Sequence, residues 1–170
     1  MRDFSTALRG GDRRSIGRAN AVASALAREP SRFDELWSCL SSSEPLVRAR
    51  AADALEKFSR THSSRFAKRK RELLAGTWED GTPEVRWHLI AITSRVAMTR
   101  SEAMSYCVYL NHCLMSDSSR IVKVMSLQAA FDLKATHPQL ENEFERMISF
   151  ALRSSWPSLK ARAVRIVAKK

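Results

Sequence analysis

Glu44–Phe58 reads EPLVRARAADALEKF, and its apolar spacing decides how the chain folds. Val47, Ala51, Ala54, Leu55 and Phe58 fall on one helical face. Arg48, Arg50, Asp53, Glu56 and Lys57 lie off it. Pro45 stands at the helix entry, where a missing N–H costs nothing. The stretch predicts an amphipathic helix that opens at Pro45 and buries one side.

Degraded copies of this pattern occur along the whole chain. Anchoring on Val47-Arg48, related pairs stand at Gly17-Arg18, Val85-Arg86, Val122-Lys123 and Leu159-Lys160, spaced 30, 38, 37 and 37 residues apart. Two positions before the anchor are Pro45, Pro83 and Pro157. Five before it are the turn formers Asp12, Ser42, Asp80, Asp117 and Ser154. Fourteen after it come Ser31, Thr61, Thr99 and Thr136. A hydroxyl there suits a helix N-cap, and Asp34, Glu102 and Gln139 three residues on complete or approximate a capping box. Each unit therefore reads as a capped helix A, a polar turn and a helix B. The B helices are expected at Ser15–Ala27, Pro45–Arg60, Pro83–Met98 and Ser119–Ala135, and from Pro157 onward.

Composition agrees. The chain has 170 residues, with five Gly and five Pro, which favours helices over a turn-rich sheet protein. We expect a single domain over 1–170. The net charge of +11 suits nucleic acid, an anionic surface or an acidic protein. No stretch approaches a membrane span, and residues 1–28 lack the apolar core of a signal peptide. Cys39, Cys107 and Cys113 are scattered, which points to buried free thiols rather than a zinc site or disulfide framework, and so to the expectation of a reducing, cytoplasmic location.

The run Pro45-Leu46-Val47-Arg48-Ala49-Arg50-Ala51-Ala52-Asp53-Ala54-Leu55 resembles the helix B signature of HEAT repeats, and Pro83-Glu84-Val85-Arg86 carries its front half. The resemblance implies an all-α, right-handed α-solenoid of about five HEAT-like helix pairs, with B helices lining the concave side. It also implies that the Arg48 column bonds to turn groups of neighbouring repeats.

On the remaining B-helix face stand Arg50, Lys57, His88, Arg95, Arg162 and Arg165, the candidate polyanion- or partner-binding residues. Asp53 and Asp132 interrupt them. Arg65, Lys68, Arg69, Lys70 and Arg71 form a separate basic run on a helix A. No catalytic, cofactor or metal motif is present: there is no Gly-rich phosphate loop, GxSxG, HExxH or His-Glu pair. The expected function is an interaction scaffold for a protein partner, without chemistry. The alternative is a nucleic-acid-binding module, similar in architecture to bacterial alkylpurine DNA glycosylases. Their concave Trp and Asp beside Arg would correspond to Trp87 with Asp53 or Asp132.

Overall fold

A computed structural model describes residues 3–12, 15–76 and 81–169. Among the described residues the regular structure is all helical, with ten α-helices, four 3-10 segments and no strand. The chain divides into two compact units, Met1–Ile92 and Thr93–Lys170.

The first unit holds α1 (Phe4–Leu8), α2 (Ala19–Arg28), α3 (Phe33–Ser38), α4 (Pro45–His62), α5 (Lys70–Leu74) and α6 (Pro83–Thr93), which ends one residue past its boundary. α4 is the element the others pack on: α1, α2 and α3 all contact it. It buries Val47, Ala51, Ala54, Leu55 and Phe58, the face expected from spacing. Phe58 joins Phe33, Trp37 and Phe66 in an aromatic cluster, in which Phe33 and Phe66 meet edge to face at 5.0 Å. Each such ring contributes roughly 1.5–3 kcal/mol by burial, which ties the short, partly 3-10 A segments to α4. Trp37 is buried, as expected, and its indole N–H donates to Glu72. Trp78 and Asp80 lie outside the described residues.

The second unit holds α7 (Arg100–Ser116), α8 (Arg120–Thr136), α9 (Glu141–Leu152) and α10 (Pro157–Val167). α8 is its centre, packed by α7, α9 and α10 around Leu110, Leu114, Leu127, Phe144 and Leu159.

Pro45, Pro83 and Pro157 each begin a helix, as expected. The hydroxyl column is only partly a set of caps. Thr99 forms a full capping box with Glu102. Ser31 instead lies inside the 3-10 segment Pro30–Arg32, and Thr61 and Thr136 lie inside α4 and α8. α4 and α8 run on through Thr61 and Thr136, while Ser31 comes after Pro30 has already opened the next segment; Pro30 and Pro138 open these segments without a hydroxyl cap. The first B helix starts at Ala19 rather than Ser15, because Gly17 (φ +51) is left-handed and cannot continue a helix.

The basic column is structural where it is buried, but it acts within its own helix pair. Arg48 donates to the Ser42 and Ser43 carbonyls of the turn before α4. Lys123 is buried and donates to the Leu114 and Met115 carbonyls, the open C-terminal end of α7. A cation at the fourth residue of helix B thus reaches back over its own turn. Arg18 and Lys160 are exposed and do not follow this use.

Candidate functional site

The loop between α1 and α2 is the first determinant of the site. Gly10 (φ +69), Gly11 (φ +79) and Gly17 (φ +51) take conformations that other residues rarely adopt. The loop therefore folds back, and its carbonyls converge on Arg50 of α4. Arg50 donates to Leu8 O at 2.8 Å, Gly10 O at 2.6 Å, Asp12 O at 3.0 Å and Ser15 O at 3.2 Å. It is only 3% exposed. The expectation of a solvent-facing Arg50 is thus corrected: its planar fork of donors is spent on loop carbonyls.

His88 is corrected too. It is 5% exposed, and burial lowers its pKa from 6.5 to about 4 against the upward pull of Asp53 and Glu56. It is neutral at physiological pH and adds no charge. Its Nε2 lies 4.0 Å from Asp53 Oδ1, and its buried Nδ1 has no hydrogen-bond partner among the described residues. Lys57 is half-buried and bonded to Asn20 and Asp53. Of the three first-unit candidates, none offers an unengaged cation.

Arg50 and His88 border a cleft of about 300 Å³. Ile16, Leu46, Ala49 and Trp87 supply apolar walls, and Asp53 and Glu84 supply carboxylates. Ile16 is 51% exposed, large for an apolar side chain on a loop. Glu84 makes no ion pair among the described residues and Asp53 is held by Lys57. The arrangement can receive an apolar side chain and a hydrogen-bond donor. Ser15 and His88 both line the cleft, but the Ser15 hydroxyl accepts from Gly17 N and is not bonded to His88, and no group of metal-ligating side chains occurs among the described residues.

In the second unit Arg162 is half-buried and donates to Gln128 at 3.0 Å, while Gln128 donates to Asp132. Arg95 is half-buried and Arg165 exposed. Asp132, which interrupts this row in sequence, accepts from Gln128 and not from Arg162.

A HEAT repeat domain profile matches residues 7–170. The chain belongs to the HEAT-repeat family. Comparisons with curated proteins and with solved structures return no match.

Arg50, Asp53 and Trp87 do border one cleft, yet Arg50 is saturated by carbonyls and Asp53 is bonded to Lys57. The basic run of the HEAT A segment is partly paired as well: Lys68 and Arg69 both reach Asp34. Sequence reasoning missed Ile16, Leu46 and Ala49 as cleft walls. The signal for Arg50 was visible, since Gly17 replaces the apolar anchor residue and Gly10-Gly11 precede it.

Proposed function

We propose that this HEAT-repeat chain is a scaffold that binds a protein partner and performs no chemistry of its own. The reading keeps the right-handed stack of about five helix pairs and the cytoplasmic setting inferred from sequence. The observation that carries it is the first-unit cleft: apolar walls beside carboxylates, with its nearby cations already bonded internally. Such a surface favours apolar anchors of another protein over phosphates. A phosphate-tracking groove needs unengaged Arg and Lys side chains, and Arg50, Lys57 and Arg162 are each bonded within the fold.

The test is site-specific crosslinking of the full chain. A photoreactive benzophenone residue replaces Ala49 in the cleft or, as a control, the exposed Ser158. Discrete protein adducts at Ala49 that resist nuclease support the scaffold. Nuclease-sensitive adducts, with steeply salt-dependent retardation of random duplex DNA, overturn it in favour of the nucleic-acid reading.

A further inference from the structure

Charge is unevenly placed in the second unit. Its two B helices, residues 120–136 and 157–169, carry seven Lys or Arg against one carboxylate, Asp132. The other carboxylates of the unit, Glu102, Asp117, Glu141, Glu143 and Glu145, lie on α7, at its end and on α9. Two of the seven cations are engaged elsewhere: Lys123 holds α7 carbonyls and Lys134 pairs with Glu141. Arg162, Arg165 and Lys169 remain as a row on α10 and the turn that closes it. At about 100° per residue they share a sector roughly 60° wide.

On α8, Ile121, Met125, Gln128 and Asp132 line up in a sector of about the same width. The two rows adjoin, because Arg162 donates to Gln128 at 3.0 Å. Trp156, at the start of α10, stacks near Arg120 and Lys123 at the start of α8, so the helices run side by side in one direction. The combined face therefore has two unlike ends. Ile121, 43% exposed, and the half-buried Met125 make an apolar end. Arg165 and Lys169 make a basic end; both are exposed, and neither forms an ion pair among the described residues. Asp132 stands within that end. Desolvation raises its pKa, while the Gln128 hydrogen bond and the charges of Arg95, Arg162 and Lys169 act the other way. One carboxylate thus faces three cations, and the local field stays positive.

The polarity of the face decides what fits. Duplex phosphates recur at even spacing, so they would lie over Ile121 and Met125 and against Asp132 as well as over the cations. A second copy of this chain carries +11 itself and is repelled. A peptide segment can place an apolar side chain at one end and separate carboxylates at the other. We propose that the α8–α10 face docks an acidic segment of a partner protein. An apolar side chain of that segment seats on Ile121 and Met125, and its carboxylates meet Arg165 and Lys169 about 15 Å further along the helices. This is a second contact, in the other unit from the Ala49 cleft, and it goes beyond the scaffold reading by naming a partner chemistry.

The probe is a pair of capped twelve-residue peptides, one with two Leu at its N-terminal end and four Glu at its C-terminal end, the other in reverse order. Binding to the full chain is read by fluorescence anisotropy with an uncharged dye. One of the pair should bind saturably. Replacing its Glu by Gln should weaken binding at least about tenfold, and its Leu by Ser about fivefold. Arg165→Glu with Lys169→Glu should weaken it about tenfold or more, and Ile121→Ser about threefold. Arg100→Glu with Arg153→Glu makes the same change in net charge away from this face and should alter binding less than about twofold. All five side chains are exposed, so circular dichroism should show an unchanged fold. Equal weakening by the Arg100 and Arg153 pair, equal binding of the Gln peptide, or no saturable binding in either order overturns the proposal. So does random duplex DNA that binds more tightly than the peptide and is lost on reversing Arg165 and Lys169, since the occupant is then nucleic acid. A dimer in sedimentation that the same reversal dissolves overturns it as well, in favour of a second copy. Crosslinking at Ala49 reads the first unit, so failed peptides with persistent Ala49 adducts sink this inference alone.

Discussion

The guanidinium of Arg50 fills the space that a side chain on Gly17 would need. A Cβ built on Gly17 falls 2.6 Å from Arg50 Cζ and 2.8 Å from its Nε. The left-handed φ of Gly17 and the carbonyl cage around Arg50 are one device: a glycine lets the loop close, and the arginine holds it closed. Gly17→Ala should therefore destabilise the protein by about 2 kcal/mol or more, through backbone strain and a displaced guanidinium. Arg50→Ala should cost on the order of 3 kcal/mol, since it strands several inward-turned carbonyls. Urea unfolding of both variants checks this. Arg48→Ala, which frees two carbonyls at a half-exposed turn, should cost clearly less. Equal losses for Arg48→Ala and Arg50→Ala would refute the hub.

Lys123 makes a second prediction. Its amine bonds the last carbonyls of α7 and sits 5.0 Å from the Trp156 ring centroid. Two charge-assisted hydrogen bonds and a cation–π contact in a buried place are worth several times a surface ion pair. Lys123→Met keeps the stem and removes the charge, so it isolates those contacts. A loss of about 2 kcal/mol in denaturant unfolding is expected. A change below about 0.5 kcal/mol would make the contact incidental.

How legible was this in the sequence? The apolar period of α4 and the entry prolines Pro45, Pro83 and Pro157 located the B helices, because both act locally. The chemistry of the B-helix face was not legible in the same way. Arg50 and His88 were placed facing solvent because a period of 3.6 tells which way a side chain leaves its helix, not what another segment lays over it. The α1–α2 loop covers Arg50 from 35 to 42 residues away in sequence. The Ser/Thr column shows the same limit. Its spacing is right at all four places, yet a hydroxyl caps only where one helix has stopped and the next has not begun: Thr61 and Thr136 still lie in α4 and α8, and Ser31 already lies in the segment that Pro30 opens.

That limit yields a prediction of its own. Thr99→Ala removes one half of a real capping box and should cost about 1 kcal/mol. Thr136 ends α8 and donates to the Leu133 carbonyl, so Thr136→Ala should stay within about 0.5 kcal/mol. Thermal unfolding of the two variants separates them. A Thr136→Ala loss as large as that of Thr99→Ala would restore the repeat-wide cap expected from spacing.

His88 gives the pH dependence. Burial holds its folded pKa near 4, against 6.5 for the free side chain. Between those values the unfolded chain takes up a proton that the folded chain refuses, so stability falls as pH falls through that window. The stabilising effect is full above about pH 6.5 and lost near pH 4. At about 1.4 kcal/mol per unit the loss is on the order of 3 kcal/mol. The charged groups facing the ring are Asp53 and Glu56, which favour its protonation, and Lys57 and Arg60, which oppose it. Carboxylates held low by hydrogen bonds to cations, such as Asp34 with Lys68 and Glu35 with Arg32, lose their contribution only below the ordinary carboxylate range. The two effects therefore separate along the pH axis. His88→Gln should flatten unfolding free energy between pH 6.5 and about 4.5 and leave the steeper acid limb in place. If the His88→Gln chain keeps the wild-type slope in that window, the buried neutral histidine is not its source.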